Sequence, residues 1–410
     1  MRRSAWFNTF AAEGGTLDLA AEMREELAEL DDKLFAIWNL GENVLLGWTH
    51  SADGLLFLSI HHHVIPETVH AGTDNNDGVR DAVCLMNEVL SGQKHLKPEE
   101  FQRVHRAFNG EITAVRVNFQ IDSERLVALI SDMVCCYGVS LVDNRAVVLL
   151  DAVQFSLQSP LDQVAMLNSL AYSVNSAYGQ LLLKDIKIDF ARTTTGDGFY
   201  IWNRATTDEA NTALYKLMMM ILADNAVAQR KARSPWVPKL RAAFHIGEHY
   251  EFHQVVGLNP TNLSYIVGQV TVDLSRMVEH ALPNQILLGD FVTHVDGSGS
   301  PTRCDTPTFV ENTDATLNQL NGLDISGGRI ENIRCYLTGD NLAGGKYMVN
   351  RYYLRDKHGT TRAVYNAKIN IHRDKAEPSF LGIRNEDLRT FNAAKVELLR
   401  RDTGDKGSSL

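Results

Sequence analysis

The stretch RAVVLLDAVQFS, residues 145 to 156, decides the fold. Ala146 to Leu150 is an unbroken apolar run, as expected of a strand buried on both faces, and Asp151 closes it. After SLQSP, the residues Leu161, Val164, Leu167, Leu170 and Val174 recur at helical spacing and are expected to form the core face of a helix. The next stretch, RTTTGDGFYIW at residues 192 to 202, reads as a β-hairpin with a Gly-Asp-Gly turn and Asp197 at its tip. A long helix near 206 to 232 follows, then a strand LRAAFHIGE from 240 and a second near 264 to 268. A helix near 271 to 282 and a short strand QILLG complete the set. This order of strands and helices predicts an α+β fold with a ferredoxin-like, split βαβ core.

The flanks read differently. Residues 17 to 40 form an amphipathic pattern through Leu19, Met23, Leu27, Leu30, Leu34 and Ile37, with Thr16 as the expected N-cap and Gly41 as the stop. Strands at Val44 to Trp48 and Leu55 to His61, a helix pair near 79 to 91 and 98 to 108, and a helix near 122 to 138 complete a mixed N-terminal region. Its role is not legible. Ser298 to Gln319 is polar and holds two prolines, the pattern of a loop or linker. Three alternating strands are expected at Tyr347 to Leu354, Thr361 to Tyr365 and Ala367 to His372, before a charged tail helix. The expected domains are therefore 1–140, a core at 141–297, a linker with the end of the core at 298–345, a small β-rich domain at 346–402, and a disordered tail at 403–410.

Composition excludes several function classes. With 410 residues, 44% apolar and 22% charged, the chain has material for two or three folded domains. A net charge of −10 argues against general nucleic-acid binding, which needs an excess of Lys and Arg to neutralise phosphates. No apolar run reaches the length of a membrane span, no signal peptide is read, and five cysteines without paired spacing fit reduced thiols. A cytoplasmic protein is the expectation.

The chemistry is expected at Asp151 and Asp197, one at a strand end and one in a turn of an adjoining strand. Two hard carboxylates with open positions suit Mg²⁺ or Mn²⁺ bound partly through substrate phosphates. The backbone amides of Gln154, Phe155 and Ser156, entering the next helix, offer an anion site for those phosphates. Taken singly, an Asp in a Gly-Asp-Gly turn is an ordinary turn residue; the pair in this β-α-β-β context carries more weight.

Residues 145 to 290 resemble the catalytic domain of class III nucleotidyl cyclases, the adenylate and guanylate cyclase family. The matching pieces are DAVQFS at Asp151, TTTGDGFYIW around Asp197, FHIGE ending at Glu248, and LSRMVEHALPNQILLGD from Leu274 to Asp290. The resemblance implies two metal ions on Asp151 and Asp197, one activating the ribose 3′-hydroxyl and one holding the triphosphate as pyrophosphate leaves. It implies Arg276 as the transition-state arginine, whose alternative is a solvated cation on a helix face. Because the family's acids and arginine come from different subunits, it also implies a homodimer with active sites at the interface.

The sequence departs from that pattern where the base is read. The position of the purine-reading Lys or Glu holds Thr193, the second base reader aligns with Tyr265, and the transition-state Asn aligns with Val272. A shorter pocket with Thr193, Arg192 and Tyr265 fits a pyrimidine, although Arg192 reads equally as a surface cation on a strand. VNRYYLRDKHGTTRAVYNAKINI, residues 349 to 371, resembles the sensor domain that follows bacterial nucleotidyl cyclases, through Asp356, Lys357, His358, Gly359 and Asn366. Together the two resemblances point to the pyrimidine cyclases of Pycsar anti-phage defence, with UTP favoured over CTP and a downstream effector not contacted directly. An adenylate or guanylate cyclase with atypical base reading, and an inactive nucleotide-sensing module, stay open as alternatives. Of the weaker features, His61 to His63 reads as a polar loop because strand alternation points the middle ring away. Met218 to Met220 reads as core filling, His245 as structural, and Lys346 as a residue near the triphosphate without a secure alignment.

Overall fold

The first helix is set by the leucine spacing of the N-terminal segment. In a computed structural model that describes residues 19–401, apart from 53, 72–76, 234–235, 257–260, 296–301, 326–327 and 341–346, α1 spans Ala21–Trp38. Thr16 lies outside the described residues. The helix stops at Asn39, which takes the left-handed conformation, and a short 3₁₀ turn carries the chain to Gly41. The chain divides into two compact units, Met1–Asp143 with His249–Val267, and Asn144–Glu248 with Gly268–Leu410.

In the first unit, β1 (Asn43–Ser51), β2 (Gly54–His61), α2 (Val64–Ala71), α3 (Asp77–Ser91), α4 (Pro98–Phe108), β3 (Glu111–Val115) and α5 (Glu124–Cys136) follow in order. The strands form an antiparallel sheet, β1-β2-β3, and their alternation sends apolar side chains to both faces. Leu27, Leu30 and Leu34 of α1 join Ile130 and Met133 of α5 over Leu45, Trp48 and Phe57. Met86, Val89, Phe101 and Val104 cover Leu46, Leu58 and Ile60 on the other side.

The second unit is built on β4 (Val139–Ala152), α6 (Pro160–Leu182), β5 (Phe190–Thr194), β6 (Gly198–Asn203), α7 (Asp208–Lys231) and β7 (Leu240–Val256). The strands stand in the order β7-β4-β6-β5, with β6 antiparallel to both neighbours. Ala146 to Leu150 is buried throughout. Val148, Leu150 and Ile201 on one face share a core with Leu170, Val174, Ala177 and Leu181 of α6 and with Leu217 and Met218 of α7. Leu214 to Ala223 of α7 is buried on all sides, with the three methionines inside it as core. The core face expected of α6 needs correction at its start: Leu161 and Val164 are 78% and 64% exposed, and the inward stripe begins at Met166.

β7 runs on from the second unit and turns back as β8 (Thr261–Val267) within the first, where Tyr250 packs against the core that holds Val44 and Leu46. Then come α8 (Gln269–His280), β9 (Ile286–Gly289), β10 (Val292–Val295), β11 (Thr302–Asp305), α9 (Thr306–Thr316), β12 (Ile330–Leu337), β13 (Tyr347–Arg355), β14 (Thr361–Arg373), β15 (Ala376–Leu381) and β16 (Lys395–Arg401).

Three expectations for this half are overturned. The linker at 298–319 contains a strand and a helix: Pro307 occupies the first turn of α9, Asp305 caps it by accepting from Thr308 N–H, and Phe309 and Val310 are buried. The strands of 346–402 are not a separate small domain. β14 pairs with β9 from Ala367↔Ile286 to Val364↔Gly289, and Ile369 and Ile371 lie in the same core as Val148 and Leu150. The charged tail is the strand β16, paired with β13, not a helix. Residues 403–410 lie outside the described residues.

Candidate active site

Asp151 stands at the end of the buried β4, directly across from Gly198 at the start of β6. The amide of Ala152 donates to the carbonyl of Asp197 at 2.9 Å, which fastens the hairpin turn to the end of β4. Close approach is possible because residue 198 is glycine: a Cβ there would sit 1.8 Å from the Leu150 carbonyl oxygen. Inside the turn, Gly196 takes φ +100° and Thr195 Oγ1 donates to Asp197 Oδ1 at 3.1 Å.

The residue that sequence reading missed is Arg241 on β7, the strand beside β4. Its Nε and one terminal nitrogen both reach Asp151 Oδ2, at 2.7 and 2.6 Å. The available signal was a single cation inside the otherwise apolar run of LRAAF. Burial pushes the Asp151 carboxyl up to about 6; Arg241 pulls the other way, and the charge of Asp197 adds to the rise. That Asp197 adds to the rise marks two acids close to one another.

The remaining candidates fall in several positions. Direct cross-strand partners share a face, so Thr193, paired with Tyr200, lies on the Asp151 side of the sheet. Tyr200 Oη donates to the Thr271 carbonyl at the start of α8, next to Val272. Arg192 pairs with Ile201 on the opposite side, its guanidinium 5.4 Å from the centre of the Phe199 ring. Gln154, in the left-handed conformation, opens a single 3₁₀ turn, Phe155–Leu157, so the three amides precede α6, which begins at Pro160, and do not enter it directly. Among the described residues the amides of Gln154, Phe155 and Ser156 donate to no backbone carbonyl.

Arg276 lies on α8 and hydrogen-bonds Glu279 at 2.8 Å. Its helix is held through Asp273, which meets both Arg362 and His245. Tyr265 lies on β8 in the first unit, stacked with Phe252. Asp356 caps its own turn by accepting from the His358 and Thr360 amides, and Asn366 is fully buried, bonding Thr338 and Ile383. Lys346 lies outside the described residues.

No family model matches the chain, and no curated protein matches it. Among the solved structures it resembles are nucleotide cyclases. One is the guanylyl cyclase Cya2, at 12% identity over 56% of this chain and 92% of that one, with a TM-score of 0.31. A second is the adenylyl cyclase CyaB from P. aeruginosa, at 10% identity over 56% and 95%, TM-score 0.33. A third is the guanylate cyclase domain of RhGC from Catenaria anguillulae in complex with GTP, at 14% identity over 58% and 100%, TM-score 0.32. Likenesses at these scores do not establish a family, and the functional reading stands on the residues.

Those residues fit a divalent cation. Asp151 and Asp197 are hard oxygen donors whose mutual repulsion a cation relieves. A proton competes for the same place. Because the Asp151 carboxyl is raised to about 6, it is largely protonated below that pH and charged above it. Mn²⁺ affinity is therefore expected to fall as pH drops through 6. Replacing Arg241 by Met removes the group that lowers the proton affinity, so the midpoint should move to higher pH. Mn²⁺ titration followed by electron paramagnetic resonance between pH 5 and 8 checks both; a midpoint that stays in place or falls in Arg241→Met contradicts the assignment.

Proposed function

We propose that the chain is a nucleotide cyclase, converting a nucleoside triphosphate into its 3′,5′-cyclic monophosphate and pyrophosphate. The observation that supports this best is the meeting of Asp151 and Asp197 at the end of β4, with Arg241 beside them. A divalent cation, Mn²⁺ or Mg²⁺, held by the two acids would supply Lewis-acid stabilisation of charge on the phosphoryl oxygens. The backbone amides of Gln154, Phe155 and Ser156, which follow Asp151 by three to five residues, are the proposed phosphate binders. Arg241, drawn from Asp151 when the acid takes another partner, offers its guanidinium fork to the triphosphate.

Arg276 acts across a two-fold axis in a homodimer, each protomer lending its arginine to the acids of its partner. A fixed guanidinium stabilises charge that builds during phosphoryl transfer. The ferredoxin-like strand order of the core is part of the same proposal.

For the base, Thr193 is the proposed reader. It lies on the face of Asp151, and its neutral hydroxyl both donates and accepts, as one edge of a uracil or cytosine requires. Arg192 is left out of the reader because it faces the other side. UTP is the proposed substrate ahead of CTP, and the product serves as an alarm signal in anti-phage defence, the reading supported by the C-terminal resemblance.

Incubating the pure protein with each of the four ribonucleoside triphosphates and Mn²⁺, with mass spectrometry of the product, tests the reading. Cyclic UMP or cyclic CMP is expected. Cyclic AMP or GMP alone would overturn the pyrimidine assignment while keeping the cyclase, and no cyclic product from any of them would overturn both.

A further inference from the structure

The segment His61–His63 does not behave as strand alternation dictates. β2 ends at His61, and His62 and His63 form the turn that leads into α2, so the period of two stops where the histidines begin. The rings gather instead. The His61 ring centre lies 4.6 Å from that of His62 and 4.1 Å from that of His63, and one nitrogen from each of the three lies within 4.8 Å of the others.

The surroundings are those of a ligand set. His62 Nδ1 stands 3.0 Å from the Glu42 carbonyl oxygen, which only accepts. In the neutral ring the proton therefore sits on Nδ1, and Nε2 keeps its lone pair for another partner. His61 Nδ1 is buried without a hydrogen-bond partner, while its Nε2 lies 3.8 Å from Glu42 Oε1. His63 Nε2 lies 3.8 Å from Glu67 Oε2. Glu42 itself is held from the other side by Asn39, whose amide donates to Oε2. Three imidazoles crowded around one place, one with a buried nitrogen unsatisfied and one with its tautomer set by a carbonyl, call for a cation between them.

We propose that His61, His62 and His63 bind a late first-row divalent metal, with Zn²⁺ as the fit, and that Glu42, beside His61, supplies a carboxylate to complete the shell. Imidazole nitrogen suits Zn²⁺, Ni²⁺ and Cu²⁺, whereas Mg²⁺ and Mn²⁺ prefer oxygen. The trio and the carboxylate pair Asp151/Asp197 thus select different ions. Zinc–nitrogen bonds of about 2.0–2.1 Å require the rings to draw closer than they stand, a movement that the exposed side chains of His62 and His63 allow. Bound there, the ion ties the end of β2 and the start of α2 to the turn before β1. It acts as a clamp within the first unit.

The test uses the full-length protein stripped with a chelator, Zn²⁺ affinity by competition with a chromogenic chelator, and Co²⁺ absorption as a report on nitrogen ligation. One Zn²⁺ of micromolar or tighter affinity is expected at the trio. His62→Ala should weaken it by at least about tenfold, and His62→Ala/His63→Ala should remove it. Asp151→Asn/Asp197→Asn should leave Zn²⁺ affinity and the Co²⁺ spectrum unchanged. Because His62 and His63 are exposed, their variants are expected to melt with the unmodified protein, which a thermal scan verifies. Wild-type affinity no tighter than that of the double histidine variant, or a loss that follows the acids instead, overturns the proposal.

Discussion

Asp197→Ala is expected to lower cyclic nucleotide formation by roughly 10³-fold or more while leaving the melting temperature unchanged, the scale on which preorganised charge at a transition state acts. The separation of the two readouts follows from geometry. The Asp197 side chain is bonded within its own turn, to Thr195, so its removal costs the fold little. What fastens the turn to β4 is the Asp197 backbone carbonyl, which the substitution keeps. The loss should appear in kcat at saturating Mn²⁺, measured beside a thermal scan. Full activity in a folded Asp197→Ala would remove the turn acid from the chemistry.

Gly198→Ala is the largest expected effect on stability. The added Cβ would meet the Leu150 carbonyl oxygen at 1.8 Å and its carbon at 2.8 Å, contacts with backbone that no rotamer change relieves. The strand must shift, and the β4–β6 ladder opens beside Asp151. A loss of about 3 kcal/mol or more is expected, the upper range for overpacking. For a unit of this size that corresponds to roughly 6–12 °C in Tm. Gly196→Ala is the comparison: nothing lies within 4 Å of its Cβ, but φ is +100°, so about 1–2 kcal/mol of backbone strain is expected alone. Equal melting shifts in the two variants would contradict the packing argument.

The parts legible in the sequence are those where one physical signal dominates. The apolar run before Asp151 had to be a buried strand, and the threonine-glycine hairpin had to turn where it does. Periodicity also found α1, α7 and α8 within a few residues. Polarity misled at α9, because its buried face is thin and its proline and threonines look like loop, although Asp305 and Pro307 are helix-start residues. Arg241 escaped because a lone cation in an apolar run does not say which acid it pairs with; only the sheet order brings it to Asp151. His62 and His63 do form the polar turn expected of them, but strand alternation was carried past His61, where β2 ends, and so hid the gathering of the three rings. The C-terminal motif was noticed, but Asp356 and Asn366 hold a turn and a buried junction.

The pairing of β14 with β9 bears on how this protein can be cut or recombined. β9 lies between β7 and β14, so a fragment ending near residue 297 would bare a hydrogen-bonding edge in the middle of the sheet that carries Asp151. Such an edge recruits other chains. The C-terminal strands are consequently poor material for modular exchange: swapping them between relatives means rebuilding the sheet, and a functional unit has to be expressed with both halves of that ladder in one piece.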